Sequence, residues 1–274
     1  MISIEQVSFS YGEHPVLEHV DLAIPPGRIT GLFGKNGVGK TTLLRLLCGL
    51  LFPREGRCSC FGRNPARREP TCLSDLFFLP EEFALPPVTG RRYTDMFAPF
   101  YPAFSVRDLG EYVERLEVDV DAVLTKLSHG QRKKFMVAFA LATNCRLLLL
   151  DEPTNGLDIP SKTRLRAIIP EALGDDTVCI VSTHQARDLQ DLINHVVILD
   201  GTRVVFDQTM RDVRAKLSYG VHPEKPDEAL WAEPAPGGYQ AVSLNREDSS
   251  GPMDLEALFN TVITVPERVG EVFA

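Results

Sequence analysis

The sequence predicts an α/β protein with a mostly parallel sheet and flanking helices, and two observations carry this prediction. Short apolar runs alternate with helical patterns along much of the chain, an arrangement that covers a parallel sheet with helices. Residues 147–150 are all leucine, as expected for a central strand that is buried on both faces. The first 24 residues carry strand patterns without helices, which predicts an additional antiparallel β portion at the N-terminus.

The individual elements follow from apolar periodicity and from turn residues. Strands are expected at residues 2–9, 16–24, 28–33, 73–79, 146–150, 177–182, 195–199 and 203–206. Helices are expected at residues 41–51, 161–173 and 185–193. Between residues 80 and 144 the strand signals stop, and helices are expected at 89–98, 105–116, 120–125 and 131–143. The sequence thus predicts a sheet-containing core at 1–80 and 144–217, with a helical subdomain inserted at 81–143.

The last part of the chain, residues 218–274, is expected to be a small acidic extension. Residues 222–239 are rich in proline and glycine and predict a linker, followed by a strand near 239–244 and a helix near 254–262. The formal net charge of the chain is -8. From residue 219 onward there are ten acidic and three basic residues, so this extension carries most of that charge. Without a strongly basic face, no nucleic-acid partner is expected.

The sequence lacks the patterns of a membrane-spanning segment, of a signal peptide and of a zinc site. No apolar stretch approaches the roughly 18–20 residues that cross a bilayer, and the N-terminus lacks a signal-peptide pattern. The chain is therefore expected in the cytoplasm. The six cysteines do not show the paired spacing of a zinc site. They are expected to be reduced thiols that are buried or lie in strands.

A glycine-rich segment between a predicted strand and helix carries the strongest chemical signal. It matches the pattern G-x-x-x-x-G-K-[ST], in which backbone N–H groups surround phosphate oxygens at a helix N-terminus. Lys40 is expected to reach the β- and γ-phosphates, and the hydroxyl of Thr41 to ligate Mg²⁺. The pattern predicts a P-loop NTPase with a RecA-like sheet. The expected nucleotide-binding residues here are Gly34, Lys35, Asn36, Gly37, Val38, Gly39, Lys40, Thr41 and Thr42.

Two acidic residues at the end of the leucine strand supply the expected second half of the site. Asp151 is placed to hold Mg²⁺ directly or through water. The adjacent Glu152 can act as the general base that accepts a proton from an attacking water. A strand that merely ends in two solvated acids is the alternative, but a phosphate-and-metal site needs a carboxylate partner.

A second helix N-terminus is predicted at residues 127–131, where Ser128 and Gln131 have the spacing of a capping box. The free N–H groups of such a helix end attract anions. A plain helix cap is the alternative explanation. One chain with two anion-binding helix ends makes sense if the second end completes the site of another subunit.

Taken in order, these motifs resemble the nucleotide-binding subunit of an ATP-binding cassette (ABC) ATPase over roughly residues 1–217. Residues 34–42 match its Walker A loop, 127–131 its LSGGQ signature, 147–152 its Walker B strand and 156–158 its D-loop. The resemblance implies that Tyr11 stacks on adenine and that His184 contacts the γ-phosphate. It also implies a head-to-tail dimer that sandwiches two ATP molecules. The signature residues Ser128, His129, Gly130 and Gln131, together with Asp158, would then act in trans.

Two positions depart from the family pattern. His129 replaces the second glycine of the signature, although Ser128 and Gly130 remain. The Q-loop glutamine, which in the family ligates Mg²⁺ and senses the permease, is matched by Glu81, with Glu82 as the alternative. A carboxylate can still serve Mg²⁺, but its charge changes the local balance. The segment Leu79-Pro80-Glu81 and residues 254–259 resemble exporter-type ATPases with a single cassette.

The resemblance implies an ATPase with catalytic residues Glu152, His184 and Lys40, with ATP and Mg²⁺ as cofactors and with Thr41, Asp151 and Glu81 at the metal. It would energise a separate integral membrane permease from the cytoplasmic face of the membrane, as a homodimer or heterodimer and most simply as an exporter. One alternative is a non-transport ABC ATPase that acts mechanically on DNA, ribosomes or iron–sulfur assembly proteins. Another is an ATP-gated binding module without turnover.

Overall fold

A computed structural model describes residues 1–245 and 251–274 of the chain, and these residues form three β-sheets. The predicted α/β fold class is confirmed. The strands, in chain order, are β1 Ile2–Tyr11, β2 His14–Ile24, β3 Arg28–Phe33, β4 Glu55–Cys60, β5 Leu76–Leu79, β6 Leu147–Asp151, β7 Val178–Ser182, β8 His195–Asp200, β9 Arg203–Thr209, β10 Leu217–His222, β11 Trp231–Ala235 and β12 Gly238–Leu244.

The helices lie between and around these sheets. In chain order they are α1 Lys40–Leu47, α2 Pro70–Leu73, α3 Gly90–Phe97, α4 Val106–Arg115, α5 His129–Ala142, α6 Ile159–Ala172, α7 Met210–Lys216, α8 Leu255–Thr264 and α9 Pro266–Phe273. Within the described residues, no helix is both long enough and apolar enough to span a membrane.

The central sheet has six strands in the order β5-β6-β7-β3-β8-β9. The first five are parallel, and β9 pairs antiparallel with β8 at the edge. The register pairs Leu32 with Ser182 and Ser182 with Asp151. The carboxyl ends of β3, β6 and β7 therefore lie in one row, where ligand sites of open parallel sheets occur.

Helix α1 is packed between this sheet and the antiparallel sheet β2-β1-β4. Its leucines, among them Leu44 and Leu47, share one core with Ile4 of β1 and Leu149 of β6. Six of the eight residues of α1 are buried, and this burial extends over several faces of the helix. It fixes the N-terminus of α1, which faces the phosphate loop, between two rigid layers.

Residues 90–142 are mainly helical, as expected, with α3, α4 and α5 packed around an aromatic core. Tyr93, Phe135 and Phe139 meet there, with ring centroids 5.2–6.4 Å apart. Most of α5 is buried, whereas Ser128 and His129 at its beginning are exposed. The boundaries of the predicted domains stay a prediction.

Several predicted elements differ in the structure. The predicted strand 73–79 begins only at Leu76, because Leu73 ends α2 and residues 74–75 form a turn. The predicted helices 120–125 and 185–193 are short 3₁₀ turns at Leu124–Lys126 and Ala186–Leu189. The expected linker 222–239 contains β11. The elements that the sequence patterns did not predict are α2, β4, β10, α7 and α9. The predicted extension 218–274 includes residues 246–250, which lie outside the described residues.

The C-terminal elements pack against the rest of the chain and contribute to its main core. The sheet β10-β12-β11 and helix α8 contribute Val242 and Leu258 to that core. Phe273 of α9 meets Phe206 of β9 with ring centroids 5.1 Å apart. An ion pair of 2.7 Å joins Glu256 of α8 to Arg187, which follows His184 closely.

The burial of the central sheet predicts a strong effect of shortening Leu149, whose exposed fraction is 0%. Leu149→Ala should lower the free energy of unfolding by about 2–5 kcal/mol, because it leaves a cavity between α1 and the sheet. Val106, with an exposed fraction of 70%, gives the control Val106→Ala, which should change that free energy by less than about 0.5 kcal/mol. Denaturant unfolding measures both, and equal losses would contradict this description of the core.

Candidate active site

The phosphate loop joins the end of β3 to the beginning of α1 and depends on glycine at particular positions. Gly34, Gly37 and Gly39 have φ angles of 155°, 81° and 107°, a region that side chains disfavour. A Cβ atom on Gly34 would lie 2.6 Å from the Cγ1 atom of Val38 and 2.7 Å from the carbonyl oxygen of Leu199. The loop can therefore take this path only with glycine.

Lys40 lies at the first position of α1, and its side chain turns back along the loop. Its Nζ donates to the carbonyl oxygens of Gly34 at 2.7 Å and Lys35 at 3.2 Å. Burial lowers the pKa of Lys40, while the carboxylates of Glu152, Asp151 and Glu81 act in the opposite direction. The ammonium is held where an anionic group entering the loop would meet it.

Asp151 ends β6 and is held by two hydroxyl groups. Thr41 donates to its Oδ2 atom at 2.7 Å, and Ser182 at the end of β7 donates to Oδ1. Asp151 is buried, and a buried carboxylate needs such donors. The sequence predicted that Thr41 and Asp151 act at one site, and the structure places them in contact.

Glu152 and His184 form a second polar pair beside the first. The Oε1 atom of Glu152 accepts from the backbone N–H of His184 at 2.9 Å and lies 2.7 Å from its Nδ1 atom. An ionised carboxylate only accepts hydrogen bonds, so Nδ1 carries the proton in this contact. Glu152 has φ 48°, an uncommon backbone conformation for a residue other than glycine. The turn directs its side chain towards His184.

Glu81 follows β5 and, of the two acids considered at this position, is the one that faces the site. Its Oε1 atom accepts from Nδ2 of Asn155 at 2.8 Å, and its carbonyl oxygen accepts from Nζ of Lys133 at 2.9 Å. Glu82 is exposed and does not line the cavity described below. Sequence reasoning missed Asn155 and Lys133, because both contacts join residues more than fifty positions apart.

These residues surround one open cavity of about 360 Å³. Tyr11 at the end of β1 forms part of its wall and packs edge-on against Phe9 with a centroid distance of 4.9 Å. The lining residues are Tyr11, Val16, Asn36, Gly37, Gly39, Lys40, Thr41, Thr42, Glu81, Asp151, Glu152 and His184. The exposed fraction of Tyr11 is 46%, so its ring is available for stacking on a base.

The signature residues lie elsewhere. The described residues that line the cavity include none of 127–131 and do not include Asp158. Ser128 is the N-cap of α5 and accepts from the N–H of Gln131 at 3.2 Å. Asp158 caps α6 by accepting from the N–H of Ser161 at 3.0 Å, and hydrogen bonds from Ser161 keep its pKa below the usual value.

Within one chain the signature and the D-loop are neighbours. A Cβ atom on Gly156 would lie 3.0 Å from the Cδ2 atom of His129, so the imidazole packs against that glycine. His129 is thus accommodated at the place where the family pattern has glycine. The predicted action of these residues on the ATP of another subunit stays a prediction.

The donor set of the cavity fits Mg²⁺. The hydroxyl of Thr41 and the carboxylates of Asp151 and Glu81 are hard oxygen ligands of the kind this ion prefers. The described residues contain no cluster of three or more His, Cys, Asp or Glu that could hold a metal ion without help. That agrees with the usual binding of Mg²⁺ through one or two carboxylates together with substrate phosphates.

The fold and the cavity define a P-loop nucleoside triphosphatase, and comparison with known proteins gives its family. The family model described as "ABC transporter" matches residues 17–155. The chain therefore belongs to the ABC transporter ATP-binding proteins, which bind and hydrolyse ATP. The predicted P-loop fold and family are confirmed.

Individual relatives share most of the chain. It is 32% identical over 214 residues to the Nod factor export ATP-binding protein I of Cupriavidus metallidurans, covering 75% of this chain and 70% of that protein. It is 33% identical over 218 residues to the cobalt import ATP-binding protein CbiO of Salmonella paratyphi A, covering 73% and 77%. A solved ATP-binding subunit of an ABC transporter superposes with a TM-score of 0.70 at 26% identity, covering 78% of this chain and 92% of that one.

The loop geometry predicts a graded response to alanine substitution, measured as the affinity for ATP by equilibrium binding. Gly37 at φ 81° has no atom within 4 Å of a built Cβ, whereas a Cβ on Gly39 would lie 2.9 Å from Cγ1 of Val16. Gly37→Ala should weaken ATP binding about tenfold, in line with a backbone strain of roughly 1–2 kcal/mol. Gly39→Ala should weaken it further.

The matched control is Gly110→Ala, a helical glycine with open space around it. It should leave ATP affinity unchanged, because it lies in α4 outside the cavity. Equal affinities of Gly37→Ala, Gly39→Ala and the control would show that the loop tolerates side chains and would contradict the geometry.

Proposed function

We propose that this chain energises a separately encoded membrane permease, closing with a second ATP-binding subunit around ATP, and that the system exports its substrate. The observation that carries the proposal is the division of the nucleotide site. One complete phosphate cavity lies beside β3, β6 and β7, while the signature forms a separate exposed helix end. A second subunit would bring that helix end to the cavity.

The side chains around the cavity suit the roles expected from the family. Lys40 and the loop N–H groups would bind the phosphates, and Tyr11 would stack on the base. Glu152 would take a proton from water, since its carboxylate faces the cavity and is oriented by His184. The Nε2 atom of His184 would be directed to the γ-phosphate, because Nδ1 is engaged by Glu152.

Thr41, Asp151 and Glu81 would hold Mg²⁺ in this proposal. When bound, the ion neutralises phosphate charge and orients the γ-phosphoryl group. Thr41 and Asp151 are already in hydrogen-bond contact, so two of the three oxygen ligands are preassembled. Asn155 donates to the Oε1 atom of Glu81, and the second oxygen of this carboxylate could face the ion.

The direction of transport is the finest part of the proposal. One relative is named for export and another for cobalt import, so their names do not decide it. Support for export comes from Leu79-Pro80-Glu81 and from residues 254–259, which resemble exporter-type subunits. Association with a permease would place the chain on the cytoplasmic face of the membrane.

Replacing Glu152 tests the proposed general base. Glu152→Gln should still bind ATP but lose about 10²–10⁴-fold in turnover, the usual contribution of a positioned base. ATP should then hold the variant as a stable dimer, visible by size-exclusion chromatography with light scattering. Glu82→Gln, the exposed neighbour of Glu81, is the control and should turn over normally. Wild-type turnover of Glu152→Gln would remove Glu152 from this role.

Mixing two inactive variants tests the shared site. Lys40→Ala and Ser128→Arg should each be nearly inactive, while a mixed dimer retains one site with an intact Lys40 and an intact Ser128 from its partner. If the chain forms homodimers, random pairing of equal amounts should restore up to roughly a quarter of the wild-type turnover. No phosphate release above the separate variants at any mixing ratio would contradict the shared site.

Association with a permease is tested with the trapped dimer. Tagged Glu152→Gln purified with ATP from detergent-solubilised membranes of its native cell should retain a multi-span membrane protein in stoichiometric amount. Two controls are prepared in the same way: tagged Glu152→Gln without ATP, and tagged Lys40→Ala with ATP. A soluble macromolecular complex in place of the membrane protein would favour a mechanical ATPase instead.

A further inference from the structure

Lys133 is a buried cation next to the nucleotide site. It lies on α5, and its exposed fraction is 0%. Its Nζ atom donates to the carbonyl oxygen of Glu81 at 2.9 Å and lies 5.8 Å from the ring centroid of Phe83. Fully buried lysines are rare and need a compensating partner. The partner here is the segment that carries the acidic residue of the site.

The carboxylates near Lys133 are those of the nucleotide cavity. Burial lowers the pKa of Lys133, and the carboxylates of Glu81, Asp151 and Glu152 oppose that effect, with Glu81 first among them. Lys133 does not line the cavity itself. Its ammonium is thus a charge behind the wall of the cavity, on the same side as Glu81.

Glu81 is held at two points. Lys133 binds its carbonyl oxygen, and Asn155 donates to its carboxylate at 2.8 Å. The first contact comes from the helix that begins at the signature and the second from the loop after β6. Glu81 is therefore fixed between helix α5 and the loop after β6.

The charge balance explains why a lysine is useful at this place. The cavity wall carries three carboxylates, Glu81, Asp151 and Glu152, and one ammonium, that of Lys40. The family pattern has a neutral glutamine where Glu81 stands, so this chain has one negative charge more in a site for an anionic nucleotide. A second buried ammonium offsets that charge.

We propose that Lys133 is a positioning residue that fixes Glu81 through its carbonyl oxygen and offsets the charge of the Glu81 carboxylate, so that the site accepts an anionic triphosphate. The proposal rests on the assignment of Glu81 to the ATP site in the proposed function. It goes beyond that function by giving Lys133 a defined electrostatic task. Because this role depends on charge, its effect on nucleotide affinity differs from that of a lysine that only fills space.

The test compares four proteins: wild type, Lys133→Met, Glu81→Gln and the double variant. The measurement is equilibrium binding of a fluorescent ATP analogue in excess EDTA, so that neither Mg²⁺ nor turnover contributes. Lys133→Met should weaken binding about tenfold, the effect of about 1.4 kcal/mol. In the Glu81→Gln background the same substitution should change binding by less than about threefold, because the charge to be offset is gone.

Two further variants are controls for the position and for the charge of the lysine. Lys134→Met removes the adjacent buried lysine of the same helix, whose charge acts on Glu117 and Asp158, and should leave the affinity unchanged. Lys133→Arg retains the charge and should bind the analogue more tightly than Lys133→Met. If Lys133→Met does not fold, Lys133→Gln replaces it, with the unfolding midpoint of each protein recorded alongside.

The outcomes separate this inference from the proposed function. Equal losses from Lys133→Met in the wild-type and Glu81→Gln backgrounds would show a merely structural lysine and overturn the inference. An unchanged affinity of Lys133→Met with Glu81 present would overturn it as well. Failure of the wild-type protein to bind the analogue would instead refute ATP binding and the proposed function with it.

Discussion

The parallel pairing of β3, β7 and β6 is the constraint on which the site depends. Their register brings Leu32, Ser182 and Asp151 into one row. The residues that follow the three strands, the phosphate loop, Thr183-His184 and Glu152, therefore meet at one edge of the sheet. Since this edge is fixed by backbone hydrogen bonds, groups separated by more than a hundred residues are held in contact without long side chains.

The charged groups at this edge of the sheet are buried, and this is the second constraint on the site. Asp151, Glu152 and Lys40 are all largely withdrawn from solvent, and such groups are costly unless they are hydrogen-bonded. Each finds its partners within the site: hydroxyl groups for Asp151, the N–H and ring of His184 for Glu152, and loop carbonyls for Lys40. The chain itself therefore provides hydrogen-bond partners for each of these buried charges.

The sequence predicts the elements whose chemistry and local structure lie in one contiguous motif. It does not predict the elements whose conformation depends on tertiary contacts. The phosphate loop and the leucine strand are contiguous and each implies its own geometry, so both were predicted. The proline and glycine content of residues 222–239 predicts a linker, yet β11 contains Pro234 and lies at the edge of its sheet, where proline is tolerated. The predicted helix 185–193 is shortened to a 3₁₀ turn, in a segment held by Lys162–Asp188 and Arg187–Glu256 pairs, contacts that no local pattern encodes.

Helix α5 carries the contact between Lys133 and Glu81, which no local sequence pattern predicts. This contact joins the helix that begins at the signature to the nucleotide site. The first residues of α5 are exposed and belong to the signature, while from Lys133 onward every residue of the helix is buried. Packing of this kind resists bending, so the helix moves as one body or stays in place. Lys133 of this helix donates to the carbonyl oxygen of Glu81, and Asn155 in the loop after β6 donates to its carboxylate. A change in the partners of Glu81 would therefore act on α5, whose exposed beginning carries Ser128 and His129.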